Sequence, residues 1–265
     1  MMTTRALLAS LFAFLISPVS AQEATDANLI TAIDVSGSIR VADERLEFEG
    51  MAEAVVDPRF LQAVARGRRG RIGFVAFTWA NGEFLSLVPW TLIASKADAL
   101  QVADRLRTAR GKPVLGYAMR DPGTRGMRVP NNRRPWRTSH ATDVSAAIER
   151  AIEVGADTPF ASQHNVINVC ANGIDNVGGE PDAARDRADA KGLIVNGLIL
   201  GNREDAEEIA GYFRDHVQAG PGSFVIVARA FEDMASAMLA KFTFELAALS
   251  PAPLKPRPRA AAAPS

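Results

Sequence analysis

Leu29-Ile30-Thr31-Ala32-Ile33-Asp34-Val35-Ser36-Gly37-Ser38 is the stretch on which the fold turns. Leu29 to Asp34 is a short apolar run that ends in an acid, the pattern of a buried strand. Beyond the serines, Phe48, Met51, Ala52 and Val55 recur at i, i+3, i+4 and i+7, which is one face of a helix. An acid and two hydroxyls therefore stand where a strand hands over to a helix. In a doubly wound sheet, ligands bind beyond the carboxyl ends of the strands. The i, i+2, i+4 spacing brings Asp34, Ser36 and Ser38 to one point if the loop turns there. A plainer alternative stays open at this stage: Ser36 and Ser38 cap the helix and Asp34 braces the turn.

Outward from this loop, strand-like and helix-like segments alternate. Arg71 to Thr78 and Glu83 to Trp90 read as strands, and Asn81-Gly82 between them is a hairpin signal. Ser95 with Asp98 opens a helix whose buried stripe is Ala99, Val102, Ala103 and Leu106. Val144, Ala147, Ile148, Ala151 and Ile152 make another stripe. Val166 to Cys170, Leu193 to Leu200 and Phe224 to Ala228 read as strands. Between and after them come helices at Pro181 to Lys191, at Ala206 to Val217 and from Phe231 to Phe242. Such alternation predicts an α/β fold: a doubly wound, mostly parallel six-stranded sheet with one antiparallel edge strand and helices on both faces.

Two further loops join the first. Thr142-Asp143 opens the Val144 helix and offers a third hydroxyl. Cys170-Ala171-Asn172-Gly173-Ile174-Asp175 follows another apolar strand. Asp34-x-Ser36-x-Ser38, then Thr142, then Asn172 after a strand, resembles the metal-ion-dependent adhesion site (MIDAS) of von Willebrand factor A (VWA) domains. More narrowly, the chain resembles an exported proteobacterial family, domain of unknown function 1194. The stretches that carry this are Leu29 to Ser38, Val88-Pro89-Trp90-Thr91, Val166 to Gly178 and Gly220-Pro221-Gly222-Ser223-Phe224, with Phe231-Glu232-Asp233 and the closing helix through Leu246.

The resemblance implies the strand order 3-2-1-4-5-6. It implies that Ser36, Ser38 and Thr142 hold a divalent cation, Mg²⁺ or else Mn²⁺ or Ca²⁺, directly or through water. Asp34 would supply charge and orient waters, and a carboxylate from a protein partner would complete the shell. Oxygen ligands of this kind suit Mg²⁺. The chain departs from the pattern at Asn172, where such domains usually carry Asp. At an effective dielectric near 20, one charge about 4 Å away is worth roughly 4 kcal/mol before desolvation. Asp143, Asp175 or Glu180 are the acids placed to restore it.

The ends and one long connection complete the map. Residues 1–21 read as a signal peptide: Arg5, an apolar run from Ala6 to Ile16, then Val19-Ser20-Ala21 before Gln22. Cleavage after Ala21 implies a periplasmic or secreted protein. Residues 22–27 read as a short linker, 28–248 as the domain and 249–265 as a Pro/Ala-rich disordered tail. No later stretch is long enough to span a membrane. The one cysteine, Cys170, excludes an internal disulfide. Residues 109–141 carry Arg110, Lys112, Arg120, Arg125, Arg128, Arg133, Arg134 and Arg137 against Asp121 alone. This loop is either a basic collar, with Arg133, Arg134 and Arg137 drawing an anionic partner to the rim, or a solvated insertion.

A nucleic-acid role lacks any groove-reading motif. Esterase, zinc-protease and phosphate-loop motifs are missing as well, so the chain reads as a binder and not an enzyme. A Ser36/His140/Asp143 triad can be drawn, but nothing in the sequence positions the histidine. His164 and His216 read as surface or strand-flank residues. The alternatives to a metal-dependent protein-binding module of the cell envelope are a metal-free scaffold with a degenerate site and, last, an exported hydrolase.

Overall fold

In a computed structural model, the described residues are 22–39, 41–80, 82–109, 141–177, 179–200 and 205–249. The signal-peptide segment, nearly all of the basic loop with Arg133, Arg134, Arg137 and His140, and the tail beyond 249 lie outside them. The strands are β1 (Glu23–Ala24), β2 (Asn28–Asp34), β3 (Ile72–Ala80), β4 (Glu83–Ile93), β5 (Phe160–Ala161), β6 (Asn165–Ala171), β7 (Leu193–Leu200) and β8 (Val225–Ala228). The helices are α1 (Val41–Val56), α2 (Pro58–Ala65), α3 (Lys96–Ala109), α4 (Val144–Ala156), α5 (Asp182–Ala190), α6 (Ala206–His216) and α7 (Met234–Leu249). A 3-10 turn, Phe231–Asp233, leads into α7.

Six strands form one sheet in the order β4-β3-β2-β6-β7-β8. Only the β3–β4 pair is antiparallel. This is the expected order and the expected antiparallel edge, in a VWA-like α/β fold. Every residue of β2 and of β3 is buried, as a central strand covered on both faces requires. Edge strand β4 is mostly exposed or half-buried and carries Pro89, whose missing N–H is tolerated at an edge. The turn before it uses Gly82 at φ +70°, the left-handed region that Gly enters without penalty.

One core lies between the sheet and α1, α2, α3 and α7, with Leu29, Ile33, Phe48, Phe74 and Phe242 among its members. The other lies under α4, α5 and α6, with Ile30, Trp79, Ile148, Ile167 and Phe213. Alternate residues of β2 thus feed opposite layers, as the pleat dictates. α1 crosses α7 closely: a Cβ on Gly50 would stand 2.7 Å from the Ala235 backbone nitrogen.

The structure corrects the expectation of a linker at 22–27. Glu23 and Ala24 pair in parallel with Phe160 and Ala161, and Thr25 and Ala27 are buried. Asp26 accepts the Arg69 N–H with both carboxylate oxygens, at 2.9 and 3.0 Å. The segment is part of the domain because its backbone groups are hydrogen-bonded into it.

A polar row crosses the α1/α7 face of the sheet. Thr31 of β2 stands beside Asn168 of β6, which stands beside Asn196 of β7. Above it α7 places Lys241 and Glu245, joined at 2.7 Å and both buried. Asn196 Nδ2 donates to Glu245 Oε1 at 2.8 Å, and Asn196 Oδ1 accepts the Phe224 N–H at 2.9 Å.

Candidate functional site

β2 ends at Asp34, and the Val35 N–H still reaches the Trp79 carbonyl of β3 at 3.0 Å. That bond holds the start of the loop in the sheet. The chain then turns, with Ile39 N–H donating to the Ser36 carbonyl at 2.9 Å. Asp34 Oδ1 accepts the Ser36 N–H at 2.7 Å, the brace expected of an acid in such a turn. Its other oxygen, Oδ2, is buried without a hydrogen-bond partner.

Three loops meet here. Ser36 Oγ and Ser38 Oγ lie 3.1 Å apart. Ser38 Oγ donates to Asn172 Oδ1 at 2.9 Å. Thr142 Oγ1 lies 3.4 Å from Ser36 Oγ. Asp34, Ser36, Ser38, Thr142 and Asn172 thus come together. Oxygens at adjacent corners of an octahedron with Mg–O distances of 2.0–2.1 Å are about 2.9 Å apart. The hydroxyl and amide oxygens already stand near that spacing, and a buried carboxylate oxygen without a partner adjoins them. The donor set fits a hard divalent cation. Ser36, Ser38 and Thr142 are the residues that would hold it, with Asp34 and Asn172 beside them.

The compensating acids do other work. Asp143 is the N-cap of α4, its Oδ1 accepting the Ala146 N–H at 2.8 Å. Asp175 accepts the Ser145 N–H at 3.0 Å and the Val177 N–H at 3.1 Å. Both are drawn to helix and turn N–H groups that otherwise lack partners. Asn176 ties the third loop to the second: its Oδ1 accepts the Thr142 N–H at 2.8 Å, and its own N–H reaches the Thr142 carbonyl at 3.0 Å. Glu180 lies farther along, against His216.

The buried acid whose charge state is coupled to Asp34 is instead Glu47 of α1. It is fully buried, and both its carboxylate oxygens lack partners. Burial pushes its pKa well up, and the charges of Asp34 and Glu44 push it further. Burial pushes Asp34 up to about 6, while the Ser36 N–H and hydroxyl and the nearby Asn172 N–H pull the other way. Buried acids whose charges raise one another's pKa favour either protons or a cation. The signal for Glu47 was present in the sequence. It lies one residue before Phe48, and Glu44, Glu47, Met51 follow the spacing of the buried stripe of α1. Cys170 is buried beneath the site, and that burial raises its thiol pKa well above the ordinary range. Such a thiol is inert.

The family described as "Protein of unknown function (DUF1194)" matches residues 24–120 and 126–250. No curated protein matches the chain. Among solved structures, proximal thread matrix protein 1 from the mussel byssus is similar at 15% identity and a TM-score of 0.51, over 85% of this chain and 49% of that one. The pilus adhesin SpaC of Lactobacillus rhamnosus GG is similar at 8% identity and a TM-score of 0.51, over 84% of this chain and 31% of the adhesin. The N-terminal domain of TFIIH p34 is similar at 12% identity and a TM-score of 0.51, over 81% of this chain and 97% of that domain. At these identities the likeness is one of fold. The chain spans about half of the byssus protein and under a third of the adhesin.

Proposed function

The chain belongs to the DUF1194 family, and on that premise we propose that it is a VWA-type binding module whose hydroxyl cluster takes a divalent cation and, through it, a carboxylate of a protein partner. The observation that carries this reading is the convergence of Ser36, Ser38, Thr142 and Asn172 beside the partnerless Asp34 Oδ2. When bound, the ion supplies positive charge and an open coordination position for an acidic side chain. The chain's own residues do the rest. Asp34 offers charge, the hydroxyls orient, and the backbone bonds of Asn176 keep the second and third loops in contact. An all-oxygen set of this kind favours Mg²⁺ or Mn²⁺ over softer metals.

The reading is of a binder and not an enzyme. The hydroxyls of Ser36 and Thr142 face other hydroxyls. Of the two described histidines, His164 precedes β6 at the opposite end of that strand, and His216 pairs with Asp182 on the α5/α6 side. The export pattern of residues 1–21 supports a setting outside the cytoplasm. Among the described residues no helix is long and apolar enough to cross a membrane.

Calorimetric titration with Mg²⁺ and Mn²⁺ tests the site. A binding isotherm that disappears in Asp34→Ala is the expected result. No heat at millimolar metal would leave the second reading, a metal-free scaffold. That reading is favoured by the way Ser36, Ser38 and Asn172 satisfy one another's hydrogen bonds. Pull-down from envelope extract with and without chelator then asks whether a partner depends on the ion.

A further inference from the structure

A second group of ligand atoms lies on the α4/α5/α6 side of the sheet, apart from the hydroxyl cluster. Glu180 comes from the loop that leaves β6, Asp182 from the first position of α5 and His216 from the last turn of α6. One atom from each lies within 4.8 Å of the other two. His216 Nδ1 stands 2.9 Å from Asp182 Oδ2 and 3.6 Å from Glu180 Oε2.

Neighbouring groups orient these ligands. The Tyr212 ring lies against the imidazole, with centroids 4.8 Å apart and planes 37° apart. Arg185 takes the other oxygen of Asp182 at 2.7 Å, leaving Oδ2 turned to the histidine. The same guanidinium is shared with Asp186 at 2.8 Å. Asp182 and Asp186 thus share one guanidinium, while Glu180 and Asp182 both face the imidazole.

We propose that Glu180, Asp182 and His216 form a second metal site, selective for a divalent cation of the Zn²⁺ class, with water at the fourth position. One nitrogen and two carboxylate oxygens are a borderline-soft set that suits Zn²⁺, in contrast to the all-oxygen hydroxyl cluster. Arg185 and Tyr212 are the supporting shell that such ligands need. The site would pin the loop that also carries Asn172 and Asn176 to α5 and α6. It stands whether or not the hydroxyl cluster binds metal.

Equilibrium dialysis of the untagged protein against Zn²⁺, followed by metal analysis and thermal melts, tests it. The expected result is one zinc held by Asp34→Ala, with a raised Tm. His216→Ala and Glu180→Gln, each combined with Asp34→Ala, weaken binding at least roughly 10-fold, the low end of the loss caused by removing even an outer-shell partner. Glu180 is an exposed side chain, so Glu180→Gln decides if His216→Ala does not fold. Retention of zinc by either folded variant overturns the proposal. So does failure of Asp34→Ala to hold zinc while the wild type does, which places the metal at the hydroxyl cluster. A wild type that holds no zinc reduces the group to an imidazole–carboxylate ion pair and overturns it too.

Discussion

Asp34 is held as a buried acid with one braced oxygen and one without a partner. Its proton is taken up at about pH 6 in the folded chain, against 3.8 for the ordinary group. Between those values the folded state binds more proton than the unfolded state, so stability falls as pH rises through that window. Each pH unit of separation is worth about 1.4 kcal/mol, so the fall amounts to about 3 kcal/mol. Glu47, raised by burial as well, acts in the same direction. With chelator present, urea unfolding is expected to show the wild type losing stability between pH 4 and pH 6.5 relative to Asp34→Asn. A difference between the two proteins that is flat or of the opposite sign would mean that Asp34 is not buried as a carboxyl group. Divalent metal is expected to reverse the loss, since it replaces the proton as the neutralising charge.

At the scale of elements, α7 is anchored by charge as well as by apolar packing. Lys241 and Glu245 are paired one helical turn apart and rest on the Thr31-Asn168-Asn196 row. Removing one partner leaves the other buried and uncompensated, which costs roughly 3–5 kcal/mol. Lys241→Met is expected to destabilise by that amount in urea unfolding. Lys241→Met combined with Glu245→Gln is expected to cost less, because the stranded charge is gone. Equal losses in the two proteins would show that the pair contributes only packing. Both residues fall on the buried stripe of α7, at three and seven residues from Met238. Their meaning could not be read from that stripe, because Asn168 and Asn196 lie on other strands and are aligned only by register.

For the molecule as a whole, one VWA-like sheet presents its hydroxyl cluster at the carboxyl ends of β2 and β6, where neighbouring connections depart to opposite faces. That crevice is where doubly wound folds place ligands. The setting of the molecule rests on residues 1–21. Fusing residues 1–27 to an export-dependent reporter is expected to give activity outside the cytoplasm. Activity only inside would remove the cell-envelope part of the proposed function while leaving the metal site untouched.

The sequence by itself determined the order of elements, the antiparallel edge at Asn81-Gly82 and the buried face of nearly every helix. These depend on apolar periodicity and turn chemistry, which act between residues a few positions apart. It also picked out Asp34, Ser36, Ser38, Thr142 and Asn172, because each sits where a strand ends or a helix begins. Only the tertiary structure decided that they meet, across separations of 106 and 134 residues. It decided too that Asp143 and Asp175 are taken up by α4, that Glu47 is buried within reach of the Asp34 charge, and that His216 faces Glu180 and Asp182. Contacts of this kind are set by how loops and helices pack against a finished sheet, and no local pattern along the chain encodes that geometry.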